Sequence, residues 1–370
     1  MDLVSIRCPS FVLSPYSYLE ARTDYIAPLP CLLNINHEPD ALNRFLRVCQ
    51  WVISSLTFIP SYGVAGVKPY NPVLGERYSC IYTFDNRACE EQRHYHPHSS
   101  QVSKYSDSTY AYAEQVSHHP PITSQYMCNE QHQFVYTSTT EIQVKFRGTF
   151  VETQIFPVES MLPHSAPTLT LTGLGETYTI SYPHIVVTGL FWGTTQVSNE
   201  GKCEVACEKT GLRMTVNCSS KKHAVEGEIL QNGRKIMNVQ GALDKYVDFT
   251  STATKRTVWL IDAKNIVFPK KLIRPLAKQD EMESRKVWDG VTRAIQNQDF
   301  EQASREKCAI EEKQRLKRSA MDIDKYEPCW WSKVEVMDQR TGQRTPCYVF
   351  KGQQAVNALM HQNASGEVIE

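Results

Sequence analysis

The chain has 370 residues, with 40 basic and 40 acidic side chains and 41% hydrophobic residues. That balance gives no bulk electrostatic reason to expect nucleic acid as a partner, so any pull toward an acidic membrane must come from a local patch. The length exceeds the roughly 250–300 residues at which one core stops growing, and one large all-β domain with a helical appendage is compatible with it.

The twelve cysteines are irregularly spaced and form no C-x-x-C pair. Cys203 and Cys207 alternate with polar neighbours around Val205, as small buried thiols do, so they read as reduced structural residues of a cytosolic protein. Residues 1–18 lack the basic segment and apolar run of a secretory leader. No stretch approaches the ~20 apolar residues of a membrane span. The expected localisation is the cytosol, with peripheral and transient visits to membranes.

Prolines at 9, 15, 28 and 30 argue against a long helix in residues 1–36. A helix is predicted next. Pro39 suits an early helical position, and Leu42, Phe45, Leu46, Cys49, Val52 and Ile53 recur on one face that would pack on the core. From Arg77 to about Asp262 the period becomes two. Ile142, Val144 and Phe146 alternate with charged or polar residues, residues 168–172 read T-L-T-L-T, and Val225 and Ile229 alternate with Glu226 and Glu228. Asn232-Gly233 signals a hairpin. With no helical pattern between the strands, the sheet is expected to be antiparallel and to close into a barrel, which removes exposed edges. Residues 85–108 read as an inserted loop rich in His, Ser and charge. Beyond Pro269 the chain turns helical: Trp288, Val291 and Ile295 mark one helix. Asp299 with Gln302 forms a capping signal for a second, which runs to about Arg318.

Two segments could carry chemistry. K-P-Y-N-P-V-L-G-E at 68–76 is stiffened by two prolines, with Gly75 permitting a tight turn. Lys68 and Asn71 on such a loop suit a phosphate with neighbouring hydroxyls, against the ordinary alternative of a solvated turn. In E-Q-V-S-H-H-P-P at 114–121, adjacent residues of a regular strand would point to opposite faces. His118 and His119 can therefore serve one ligand only where the strand ends, and Pro120 and Pro121 supply that end. An arbitrary His-His pair is more often one core and one surface histidine.

These two motifs, in this order, resemble the hallmarks of the oxysterol-binding-protein-related family. D-L-V-S-I-R-C-P-S-F-V-L at 2–13 and I-R-P-L-A-K-Q-D-E-M-E-S-R-K-V-W at 273–288 extend the similarity over nearly the whole chain. The resemblance implies a single lipid-binding domain over 1–370, mainly β with helical additions: a large antiparallel β-barrel around an apolar lipid tunnel. It divides the chain into a lid or N-terminal segment (1–36), a helix and headgroup loop (37–76), the barrel (77–268) and a C-terminal helical subdomain and tail (269–370). It further implies a non-enzymatic carrier of phosphatidylinositol 4-phosphate that exchanges this lipid for a sterol or phosphatidylserine, with no cofactor. The implied headgroup residues are Lys68, Asn71, His118 and His119, joined by Lys307, Glu311 and Arg315 of a later helix. One residue precedes the D-L-V-S-I segment, so a short lid is expected.

A lipid sensor would use the same site without transport. A metal-dependent β-barrel enzyme is the remote alternative, since His94, His96 and His98 form H-x-H-x-H. No carboxylate lies between His98 and Ser106, however, so no metal is expected. A nucleophilic hydrolase lacks the G-x-S-x-G elbow.

Overall fold

The computed structural model describes residues 13–61, 68–84, 108–146, 150–157, 166–189, 196–322, 325–337 and 344–352. A parallel pair of strands, β1 (Leu13–Ser17) and β2 (Lys68–Tyr70), brackets helices α1 (Tyr18–Tyr25) and α2 (Ala41–Ser61). There follow β3 (Arg77–Thr83), β4 (Thr109–His118), β5 (Pro121–Asn129), β6 (Phe134–Phe146), β7 (Phe150–Pro157), β8 (Thr168–Leu171), β9 (Glu176–Ser181), β10 (His184–Thr188) and β11 (Gln196–Cys207). The sheet continues through β12 (Leu212–Ser219), β13 (Ala224–Gln231), β14 (Arg234–Ala242), β15 (Tyr246–Ser251), β16 (Thr257–Asp262) and β17 (Lys270–Leu272). Helices α3 (Ser284–Val287), α4 (Asp289–Gln296) and α5 (Phe300–Ser319) lead to a hairpin of β18 (Trp331–Met337) and β19 (Arg344–Phe350).

Among the described residues, β3 to β17 form one antiparallel sheet of fifteen strands. It starts at Arg77, where the period of two begins, and β17 carries it past residue 268, pairing Leu272 with Ile81. Asn232 and Gly233, with φ of 48° and 79°, make the turn between β13 and β14. The edge strands are β16 and β17, and no ladder joins them among the described residues. The wall nevertheless curls around a common interior: Cys80 of β3, Val205 of β11 and Ile261 of β16 share one core cluster with α1 and α2. Between β6 and β11 the sheet forks. One half of each strand is bridged by β7 and β10, the other half by β8 and β9.

The occupant of this interior is α2. Asp40 caps it, its carboxylate accepting from the Asn43 amide at 2.8 Å. The apolar face predicted for it is buried except at half-buried Leu42, and so is the opposite side, from Arg44 through Thr57. The helix therefore lies within the curl of the sheet rather than on its outer face. Its arginines and its tryptophan N–H are buried with partners, whereas Gln50 Oε1 has none. Arg44 makes a two-point contact with Glu176, at 3.0 Å from Nε and 2.5 Å from Nη2. Arg47 donates to the Cys31 and Leu33 carbonyls, and Trp51 Nε1 to the Ala27 carbonyl at 3.0 Å. Each large apolar side chain buried here contributes roughly 1.5–3 kcal/mol.

Three expectations need correction. On β6 the alternation is real, but Val144 is 61% exposed, so this apolar face is not core at the far end of the strand. Trp288 separates α3 from α4 instead of starting one helix. The C-terminal part is not purely helical: Trp331 and Tyr348 of the β18–β19 hairpin cover the outer face of β4 and β5 at Tyr110, Tyr112 and Cys128.

Candidate functional site

The first motif is partly strand. Lys68 opens β2, opposite Leu13, and its ammonium donates to Asn71 Oδ1 at 2.8 Å. Lys68 is half-buried and Asn71 exposed. Tyr70 anchors the segment by stacking on Trp288 at 4.8 Å. Gly75 adopts φ 79°, open to glycine at no steric cost, and an added Cβ would also meet the Tyr326 hydroxyl at 2.7 Å. Its amide donates to the Gln115 carbonyl at 3.0 Å, and the Gln115 amide returns a bond to the Glu76 carbonyl at 2.9 Å. The loop of the first motif is thus clipped to the strand that carries the second.

That strand, β4, ends at His118, and β5 starts at Pro121 directly opposite it. Besides the prolines, a register shift between Gln115 and Ser117 re-aims the last side chains, as bulges do. The two imidazoles come together at 4.8 Å between ring centroids and 67° between planes. His119 is exposed; His118 is half-buried, and its Nδ1 is buried with no hydrogen-bond partner. Burial, then the positive charges of His119 and Arg318, pull His118 down to about 4, opposed by the Pro72 carbonyl and Glu311. His119 is lowered by burial and by Arg318. Proximity to the Pro72 carbonyl ties His118 to the Lys68–Asn71 loop. The influence of Glu311 and Arg318 places α5 beside it.

Asp299 caps α5 as its sequence predicts, accepting from the Gln302 amide at 2.9 Å. Lys307 and Glu311 are bonded at 2.5 Å, with Lys307 largely buried. Arg315 stands outside this grouping, exposed and paired with exposed Glu312 at 2.5 Å. The residue missed by sequence reasoning is Arg318. At about 100° per residue, positions 307 and 315 differ by about 80° around the axis, whereas 307 and 318 differ by only about 20°. An eleven-residue spacing was the signal available, and the four-residue ladder concealed it.

Both motif glutamates are buried structural groups. Glu76 accepts from Val73 N at 3.0 Å, Ser284 Oγ at 2.8 Å, Trp288 Nε1 at 2.9 Å and Ser17 Oγ. Glu114 accepts from the Cys329 and Trp330 amides at 2.7 and 2.8 Å. The motifs therefore hold the N-terminal strand, the C-terminal helices and the terminal hairpin in register around the histidines.

The family model for oxysterol-binding protein matches residues 1–358. The chain belongs to the oxysterol-binding protein family. Among its relatives, human oxysterol-binding protein-related protein 8 is 28% identical over 354 residues, 93% of this chain but only 36% of the relative. Oxysterol-binding protein 4 of Dictyostelium discoideum is 26% identical over 355 residues, covering 90% of this chain and 69% of its own. The chain thus spans about a third of the length of the human relative. The fold is shared with the Osh1 ORD domain solved with ergosterol (TM-score 0.69, 21% identity, 98% of this chain and 86% of that one). It is shared equally with the Osh3 ORD of Saccharomyces cerevisiae solved with PI(4)P (TM-score 0.65, 16% identity, 99% and 92%).

Within this family fold, the first twelve residues of the predicted lid lie outside the described residues, as do His94, His96 and His98 of the insertion. Among the described residues no group of three or more metal-ligating side chains converges, and no helix is long and apolar enough to cross a membrane. A cavity of about 280 Å³ between Tyr16, Tyr70, Arg285 and Thr292 touches none of the predicted headgroup residues.

Proposed function

We propose that this domain is a carrier that lifts phosphatidylinositol 4-phosphate out of membranes and exchanges it for a second lipid, a sterol or phosphatidylserine. Lys68, Asn71, His118, His119, Lys307, Glu311 and Arg315 hold the headgroup, and Arg318 joins them. The observation that carries this reading is the buried, unpartnered Nδ1 of His118 beside His119, in the positive field of Arg318. A buried polar nitrogen without a partner is costly, and a phosphate oxygen or inositol hydroxyl would satisfy it. Arg315 is available too: its exposed pair with Glu312 contributes at most about 1 kcal/mol, which a doubly charged phosphate outweighs.

The structural neighbours support the ligand classes, one solved with ergosterol and another with PI(4)P. Exposing lipid tails costs about 0.8 kcal/mol per CH₂, so unaided transfer between membranes is very slow and a protein chamber removes that barrier. The carrier would work from the cytosol, touching membranes transiently.

The test is extraction of phosphatidylinositol 4-phosphate from vesicles by the wild-type domain and by the His118→Ala/His119→Ala variant. Loss of extraction with an unchanged melting temperature is expected; normal extraction by the folded variant refutes the site. Transfer between donor and acceptor vesicles separates a carrier from a sensor, which would bind without moving lipid.

A further inference from the structure

We propose that Arg22 and the tyrosines around it form a second anion site inside the sheet, built for the charged head of an anionic lipid, a carboxylate or a phosphodiester. This deepens and rests on the carrier reading: it makes the exchanged ligand an anionic lipid rather than a sterol.

Arg22 is only 4% exposed, and its Nε and Nη2 are buried without hydrogen-bond partners. Its neighbours are aromatic. The guanidinium carbon lies 5.3 Å from the Tyr25 ring centroid and 5.8 Å from that of Tyr182. The groups acting on its charge are Tyr18, Tyr136, Tyr182 and Tyr25, and no carboxylate is among them. Burial holds these phenols protonated at neutral pH, with Tyr18 pushed up to about 12. The hydroxyls of Tyr18, Tyr136 and Tyr182 are likewise buried, with Ser138 and Tyr182 acting on that of Tyr136.

The helix explains why the charge is left unpaired. Glu20 and Asp24 of α1 lie about 200° around the axis from Arg22. They are taken by Lys271, at 2.7 and 2.8 Å, and Glu20 also by Arg285 at 2.8 Å. Tyr18, Arg22 and Tyr25, spaced by four and three, share the inward face. A buried charge without a partner is strongly destabilising, so an arginine kept here needs a compensating anion. A sterol hydroxyl is neutral and cannot supply one, whereas an arginine fork matches a carboxylate or phosphate.

The inner wall leads to this cage. On β6, Tyr136, Ser138 and Thr140 share the inward face, and the facing residues of β5 are Gln125 and Thr123. All are buried, and Gln125 Nε2 and Thr140 Oγ1 have no partner. The track runs from the level of Tyr136, which is that of Ala111 on β4, toward His118. Seven strand residues separate the two levels, roughly 23 Å, so one headgroup cannot occupy both sites.

Extraction is measured from phosphatidylcholine vesicles doped with phosphatidylserine, cholesterol or phosphatidylinositol 4-phosphate, using wild type and Arg22→Met. Wild type is expected to extract phosphatidylserine in preference to cholesterol. Arg22→Met should lose phosphatidylserine extraction about tenfold or more while keeping phosphatidylinositol 4-phosphate extraction and an equal or higher melting temperature. If that variant does not fold, Arg22→Lys decides, with the same selective loss expected at about threefold or more. Unchanged phosphatidylserine extraction by either folded variant, or a wild-type preference for cholesterol, overturns the site and leaves the carrier reading standing. Failure of wild type to extract any of the three lipids refutes the carrier reading itself.

Discussion

Trp288 donates its indole N–H to Glu76 Oε2 at 2.9 Å across 212 positions of chain. Among the described residues, no cation pairs with this carboxylate. It is fully buried, and four donors from β1, the Lys68–Gly75 segment, α3 and the residue after α3 converge on its two oxygens. Burial pushes its affinity for a proton up, and the four donors hold it down. The position of the Lys68–Asn71 loop is therefore set by a buried carboxyl group whose proton affinity burial raises.

Glu76→Leu tests that role. An apolar side chain of similar size accepts from none of the four donors and leaves the Val73 and Trp288 N–H groups unpaired, at a cost of about 2–4 kcal/mol. A fall in melting temperature of roughly 3–5 °C is expected by calorimetry, together with weaker phosphoinositide binding as the loop loosens. An unchanged melting temperature would show that the convergence is not stabilising.

His118 makes the domain sensitive to acid in two opposite ways. Its proton affinity in the folded, ligand-free protein is depressed, to about 4 against 6.5 for an unperturbed ring. The unfolded chain therefore takes up the proton first, so stability is intact above 6.5 and is lost as pH falls from 6.5 toward 4. Phosphate favours the imidazolium, so headgroup affinity should rise over the same fall and level off near 4. Denaturation and binding curves for wild type and His118→Gln would isolate both slopes. Titration of the phosphate itself, near pH 6, is common to both proteins and cancels.

Arg318→Ala is expected to weaken phosphatidylinositol 4-phosphate binding about ten- to a hundredfold, as loss of a charge-assisted phosphate contact does. Arg315→Ala should also weaken it by about tenfold or more if that side chain swings to the phosphate. Neither should move the melting temperature, because the one ion pair broken is exposed. Vesicle titrations of the two variants rank the contributions. Full affinity in Arg315→Ala alone would assign the arginine role to Arg318.

Glu114→Gln should release the terminal hairpin. The carboxylate is the acceptor for two successive amides, Cys329 and Trp330, at the entry to β18. Faster hydrogen exchange across β18 and β19, and earlier proteolysis between 320 and 330, are expected. Equal protection would mean that packing on Tyr112 and Tyr126 suffices.

Much of the fold was readable because the period of two is a direct record of burial: Cys203, Val205 and Cys207 are all inside. The full burial of α2 was not readable. Arg44 and Arg47 look like a solvated face until Glu176 and two carbonyls, distant in sequence, are brought to them. The β18–β19 hairpin was missed because its strands pair only with each other and owe their place to aromatic contacts with β4 and β5. At the site, the motifs identified the loop and the histidines. Arg318 had only its eleven-residue spacing from Lys307, and Arg22 carries no local signature; what sets Arg22 apart is that the groups acting on its charge, among the described residues, are tyrosines, which only the folded chain displays.

The fork between β6 and β11 gives the wall redundancy. Hydrogen bonding passes from one strand to the other by two independent bridges, through β7 and β10 or through β8 and β9. Either bridge can melt while the other keeps the sheet continuous. Cooperative unfolding then does not follow from local opening, and the wall can breathe on one side without losing its register on the other.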